Sequence, residues 1–145
     1  MAAAVPGAAR SVADVGAGDG QLARHLAARG LRVVATERRP PSYARLRLAL
    51  PNLDCRLGEG LEVLRPGEVE GVVLAGIGGH SIARILDASP RVSRSLDWLV
   101  LQPQQHAEQL IAWLDSERYR IQARNAAAQG RHSYTVLLVT GHERS

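Results

Sequence analysis

The stretch Val12-Ala13-Asp14-Val15-Gly16-Ala17-Gly18-Asp19-Gly20 decides the reading of this chain. Val12, Ala13 and Val15 make a short apolar run suited to a buried strand, and the alternating glycines after it make a turn. Gln21-Leu22-Ala23-Arg24-His25-Leu26-Ala27-Ala28-Arg29 follows with the apolar spacing of a helix. A strand, a glycine turn and a helix gather free backbone N–H groups and the positive end of a helix dipole at one edge of a sheet. Such an edge suits a small charged or polar ligand. A dinucleotide fingerprint needs G-x-G-x-x-G. Here the glycines stand at 16, 18 and 20, and Gln21 fills the place of the third. Asp14, two residues before the first glycine, complements an ammonium group better than a pyrophosphate.

Outward from this stretch, strand and helix patterns alternate. Residues 2–10 are small and alanine-rich and read as a frayed helix or a disordered start. Residues 11–15 predict a strand and 20–28 a helix, with Gly30 just past its end. A second strand over 31–37 carries Glu37 at its tip; Pro40-Pro41 then open a helix that Pro51 stops. Residues 53–57 predict a third strand, Gly58-Glu59-Gly60 a loop, and 61–68 one helical turn with a Pro-Gly turn. Residues 71–75 are apolar without interruption and predict a central strand buried on both faces. Gly76-Ile77-Gly78-Gly79 and a helix over 80–88 follow. A strand over 96–101 is closed by Gln102-Pro103. Apolar residues at 107, 110, 111 and 114 predict a helix over 104–117. Residues 119–127 and 133–140 predict two last strands about a turn at Gln129-Gly130.

Alternating strands and helices require a parallel sheet with right-handed crossovers, and two closing strands with a short turn must pair antiparallel. The expected fold is α/β: one domain over residues 1–145, Rossmann-like, with a mostly parallel seven-stranded sheet and a C-terminal antiparallel hairpin. A nicotinamide-binding domain would end in a sixth parallel strand instead.

Composition narrows the function classes. Apolar residues make up 46% of the 145 residues, enough for a core, although Phe is absent. All 18 basic residues are Arg against 14 acids, and a net charge of +4 permits nucleic-acid binding without demanding it. Cys55 is the only cysteine, so no disulfide framework forms. No apolar run reaches membrane-span length, the start lacks signal-peptide character, and the five histidines lack metal-ligand spacing. A cytoplasmic protein with no membrane partner and no metal is the expectation.

In an open α/β sheet, ligands sit beyond the carboxyl ends of the strands. The first turn brings Asp14, Gly16, Ala17, Gly18 and Gly20 there, and the second strand brings Glu37 and Arg38. Later loops add Gly58, Glu59 and Gly60, then Ala75, Gly76, Ile77 and Gly78, then Gln102 and Gln104. Each has an ordinary explanation as a solvated strand end or a turn residue. Their shared edge, in chain order, is what points to a site.

The D-x-G-x-G-x-G pattern resembles the first motif of class I S-adenosylmethionine (SAM) methyltransferases. That resemblance implies SAM as cofactor. Glu37 then accepts from the ribose diol, Glu59 from the adenine amino group, and Asp14 holds the methionine ammonium directly or through water. Leu57-Gly58-Glu59-Gly60-Leu61-Glu62-Val63-Leu64, Val73-Leu74-Ala75-Gly76-Ile77-Gly78-Gly79 and Leu101-Gln102-Pro103 sharpen the resemblance. They are similar to the bacterial tRNA adenine-N1 methyltransferases that modify an adenine in the D-arm. That family carries L-G-D-G-L-x-x-L, A-G-M-G-G and L-Q-P in this order, and a later Trp-Leu matched by Trp113-Leu114. The implied acceptor is tRNA.

Some positions depart from the family. Its first motif has a His and a Tyr absent here, Gln104 stands where it has Asn, and its N-terminal helix is not evident in residues 1–10. Family members usually continue into a helical extension that helps hold tRNA, whereas this sequence ends at Ser145. A small-molecule or protein methyltransferase, or a SAM-binding module without catalysis, stays open beside the tRNA reading. Arg38, Arg39, Arg45 and Arg47 either recruit RNA or form a solvated helix face. If the acceptor is adenine N1, its in-plane lone pair needs no general base. Gly78, Gln102 and Gln104 then serve as acceptor-positioning residues, and Cys55, inside a strand, is no nucleophile.

Overall fold

The structure is a computed structural model, and it describes residues 1–141. Five apolar segments form parallel strands: β1 (Ser11–Val15), β2 (Arg32–Glu37), β3 (Asp54–Leu57), β4 (Gly71–Ile77) and β5 (Trp98–Pro103). The last two, β6 (Arg120–Gln129) and β7 (His132–Thr140), pair antiparallel with each other, and β7 pairs antiparallel with β5. The order across the seven-stranded sheet is β3-β2-β1-β4-β5-β7-β6. The chain steps outward from β1 to β3 and then returns to place β4 beside β1. That reversal opens a crevice at the carboxyl ends of β1 and β4.

Successive residues of a strand point to opposite faces of the sheet, and both faces are covered. Val12, Val73 and Val100 face one side of the sheet with Ala23 and Leu26 of α1 (Gln21–Ala28) and Leu46 of α2 (Pro40–Ala49). Ala13, Val72 and Leu99 face the other. They meet Ile82 and Leu86 of α3 (Gly79–Ala88), Val92 of α4 (Pro90–Ser93), and Leu110 and Leu114 of α5 (Ala107–Ser116). Trp113 packs on this second cluster and stacks with Tyr119 at 6.2 Å. It is half-buried at the edge of the core.

Several sequence expectations change. Instead of fraying or disorder over 1–10, Ala2–Ala4 form a short 3-10 turn and Val5 is buried. The Arg29 guanidinium donates to the Ala2 and Val5 carbonyls and ties the segment down. Residues 61–68 form turns without a helix, because Arg56 draws in the Val63 carbonyl and the Glu68 carboxylate. β4 runs past Ala75 to Ile77 through a register irregularity at Gly76. The helix after β5 starts at Ala107 rather than 104, since Gln105 and His106 serve the start of α3 and His106 is left-handed (φ 59°). α4 had no sequence signal beyond Pro90, and the closing strands are longer than expected.

Candidate functional site

The turn after β1 is tied to the tip of β2. The Gly16 and Ala17 amides both donate to the Thr36 carbonyl, at 3.1 and 2.9 Å, and Thr36 is buried. Gly18 is left-handed (φ 62°) with open space where a Cβ would stand, so the backbone conformation, not crowding, calls for glycine. Its amide donates to Glu37 Oε1 at 3.0 Å. Gly20 caps α1 against Leu46 and Leu50 and serves packing.

Asp14 lies one residue inside this turn and is only 5% exposed. Its Oδ2 is buried without a hydrogen-bond partner. Burial, reinforced by the charges of Glu37 and Asp19, pushes its carboxyl up to about 7. An unpaired carboxylate is costly in such a place, and a cation reaching it would restore the ionised form.

The next wall is the loop after β3. Gly58 donates to the Glu37 carbonyl at 2.9 Å, which sets Glu59 and Gly60 beside the β2 tip. Below them Arg56 donates to both Glu68 oxygens (2.9 and 2.6 Å), both Asp54 oxygens (3.1 and 2.8 Å) and the Val63 carbonyl (2.7 Å). Arg56 and Glu68 are largely buried, and the Arg56 bonds hold the Glu68 carboxyl down at about 2.

Across the cleft, the Gly76 amide donates to Gln102 Oε1 at 2.9 Å, while Gln102 Nε2 is buried without a partner. Gly79 donates to the Gln105 carbonyl at 2.7 Å, and a Cβ on Gly79 would stand 2.3 Å from the His106 carbonyl oxygen. The start of α3 and the loop after β5 are therefore in direct backbone contact. His80 and His106 cover that seam, their ring centroids 4.4 Å apart.

These walls enclose a cleft of about 700 Å³, within the range of roughly 300–1,000 Å³ usual for ligand sites. Of the sequence-predicted residues, Gly16, Glu37 and Arg38 line it, as do Gly58, Glu59 and Gly60, and Gly76, Ile77 and Gly78. Asp14, Ala17, Gly18, Gly20 and Ala75 are not among the lining residues: Asp14 and Gly20 are buried, whereas Gly18 is exposed. Gln102 reaches the site through Gly76. Gln104 is exposed outside the cleft, its amide donating to the Ile77 carbonyl at 3.0 Å. Sequence reasoning missed Ser81, Arg84, Ile85 and Ala88, which form one wall. Their i, i+3, i+4, i+7 spacing on α3 was the available signal.

Other candidates fall elsewhere. Cys55 Sγ lies 3.8 Å from the Leu50 carbonyl, away from the cleft, and burial raises its thiol pKa. Arg39, Arg45 and Arg47 are exposed about α2, where Arg45 donates to Ser42 and Arg47 lies over the Tyr43 ring. Among the described residues no group of His, Cys, Asp or Glu is arranged to hold a metal, and no helix is long and apolar enough to cross a membrane. His142 lies outside the described residues.

Comparison with known proteins places this geometry. The family described as "Methyltransferase domain" matches residues 1–137. Over 93 residues, 64% of this chain, the sequence is 34% identical to the tRNA (adenine(22)-N(1))-methyltransferase of Bacillus subtilis. That match spans only 39% of the Bacillus protein. The crystal structure of the B. subtilis m1A22 tRNA methyltransferase TrmK superposes with a TM-score of 0.88 at 27% identity, covering 98% of this chain and 64% of that one. A Streptococcus pneumoniae structure in complex with SAM shares the fold, with a TM-score of 0.87 at 24% identity, covering 94% of this chain and 69% of that one.

Proposed function

The chain belongs to the methyltransferase-domain family, and on that premise we propose that it moves a methyl group from SAM to N1 of an adenine in tRNA. The observation that carries the cofactor half is the set of hydrogen-bond acceptors in and next to the cleft. A buried carboxylate with an unpartnered oxygen, Asp14, suits an ammonium. Glu37 has one oxygen turned to Gly18 and the other without a described hydrogen bond, which suits a diol. Glu59, flanked by glycines, suits an amino group. These residues fit SAM.

When bound, SAM supplies an electrophilic methyl on a sulfonium. The acceptor N1 of neutral adenine forms the new N–C bond with its lone pair while the methyl–sulfur pair returns to sulfur, and no proton leaves. The chain's task is therefore alignment, worth roughly 7–11 kcal/mol of barrier in favourable cases. Gly78 leaves room for a planar base beside the lining, and Gln102 holds the Gly76 backbone that forms the floor.

The tRNA half is supported by the 34% identity to the Bacillus enzyme over 93 residues, by the A-G-I-G-G and L-Q-P stretches, and by the net positive charge. A cytoplasmic setting goes with that substrate and with the free Cys55. The test is incubation with labelled SAM and unmodified transcribed tRNA, followed by nucleoside analysis. N1-methyladenosine is the expected product. SAM binding with label only in protein or small molecules would overturn the tRNA assignment and leave the cofactor assignment standing.

A further inference from the structure

The sheet is longer on one side than the cleft requires. β7 pairs with β5 only from Leu101↔Leu137 to Trp98↔Thr140, whereas it pairs with β6 all the way to Gln129↔His132. Residues 132–136 thus have β6 as their only partner strand. Because β7 runs antiparallel to β5, this two-stranded ribbon leaves the sheet at its carboxyl edge, the edge that carries the cleft. β5 itself ends at Pro103, so residues 132–134 reach past it by roughly 10 Å at about 3.4 Å each.

The composition of the ribbon is one-sided. No Asp or Glu occurs from residue 118 to 141, a stretch that carries Arg118, Arg120, Arg124, Arg131 and His132. Arg124 is bound to Glu108 of α5 and ties down the base of the ribbon. At the tip, left-handed Gly130 (φ 61°) opens a two-residue turn, which sets Arg131 at the outermost point. Arg131 is exposed and makes no described ion pair. His132 and Tyr134 lie on one face with ring centroids 6.4 Å apart. The other exposed side chains, Asn125, Ala126, Ala128 and Ser133, are small or polar and offer no apolar anchor for a protein or lipid partner.

We propose that the β6–β7 ribbon is an RNA-contacting arm, with Arg131 on a backbone phosphate and the His132 and Tyr134 rings against an unpaired base beside the target. This rests on the tRNA reading above. A cation in a stretch without acids meets the phosphate chain, and surface rings, His132 exposed and Tyr134 half-buried, accept unstacked bases. An acceptor entering over Gly78 from the β5 side passes the ribbon, since β7 is the strand next to β5.

The test uses the full chain and unmodified transcribed tRNA, read by fluorescence anisotropy across a salt series, with SAM binding measured in parallel. Arg131→Glu should weaken tRNA binding about tenfold and lower the salt slope by about one, with SAM affinity unchanged. Tyr134→Ala should weaken tRNA binding, and Tyr134→Phe should keep it. Wild-type-like binding by both Arg131→Glu and Tyr134→Ala would overturn the arm while methylation of tRNA still upheld the reading beneath it. A wild-type chain that binds no tRNA at any salt would remove both. Self-association of the wild type that Arg131→Glu abolishes, with tRNA binding unchanged, would make the ribbon an edge for a second copy instead.

Discussion

The backbone amide of Gly18 donates to Oε1 of Glu37 at 3.0 Å, so the glycine turn and the tip of β2 are joined by the side chain proposed to receive the cofactor's ribose. Two roles of Glu37 can then be separated. Glu37→Ala removes both, while Glu37→Gln keeps an oxygen for Gly18 and presents an NH₂ group where the diol needs an acceptor. A charged hydrogen bond contributes about 1.5–3 kcal/mol, so both variants should lose at least about tenfold in SAM affinity by calorimetry. Melting temperature should drop less in the glutamine variant. Full affinity in Glu37→Gln would rule out the diol contact.

Asp14 makes stability and binding depend on pH in opposite directions. Its carboxyl rises from 3.8 to about 7 on folding. Between these values the folded chain holds a proton that the unfolded chain has lost, so stability falls as pH climbs through the interval. Asp14→Asn should flatten that slope in urea denaturation. SAM binding should release a proton near pH 7, visible as a buffer-dependent heat, and should strengthen from about pH 6 to 8. The asparagine variant should bind at least about tenfold more weakly with no such pH trend. A wild-type affinity flat across that range would show that no ammonium meets Asp14.

Glu68 behaves the opposite way. With its carboxyl lowered to about 2 by Arg56, its contribution is complete above the ordinary glutamate value of 4.5 and is lost as pH falls toward 2. Glu68→Gln should lower stability at pH 7 and remove most of the acid-induced loss over that window. The network also holds the loop carrying Glu59, so SAM affinity should fall modestly in the same variant. Thermal melts from pH 7 to 2.5 check the first expectation and calorimetry the second.

The sheet was readable because strands buried on both faces leave unbroken apolar runs, as at Val72-Val73-Leu74, and because Gly16, Gly18 and Gly20 mark the first turn. The glycines also pointed to the edge where the cleft lies, since carboxyl-end loops must gather there in a parallel sheet. Less readable was anything decided across the fold. Nothing local says that Gln105 and His106 will be diverted to the start of α3, that Arg56 will replace a helix over 61–68 with turns, or that Asp14 will be sealed from water. Ser81, Arg84, Ile85 and Ala88 had helical spacing but no marker of their direction until the cleft existed. Gln102 looked like an acceptor contact because its side chain's hold on Gly76 depends on the register between β4 and β5.

Cys55 sits on β3 with its sulfur near the Leu50 carbonyl and outside the cleft. A thiol there cannot attack an acceptor base, and burial disfavours its thiolate. Cys55→Ser should keep turnover within a few-fold of wild type. Abolished activity in a folded serine variant would call for a covalent mechanism.

If alignment rather than proton transfer limits the reaction, substitutions that alter the shape of the acceptor side should cost more than loss of an imidazole. Gly78 has extended backbone, and a Cβ there would make only an ordinary contact 3.7 Å from Gln105. Gly78→Val should therefore fold, so that lost activity reports the room a base needs. Gly79→Ala is the contrasting variant, because its Cβ would strike the His106 carbonyl and disturb the whole seam. Gln102→Ala frees the Gly76 amide and should lower the single-turnover rate with little change in SAM affinity. His80, its ring tilted against that of His106 outside the lining, should tolerate alanine far better than either. At saturating SAM, with Asp14 held ionised by its ligand, the single-turnover rate should be nearly flat from about pH 6.5 to 9. A rate that follows one ionisation in that range and disappears in His80→Ala would replace alignment with acid–base chemistry at the seam.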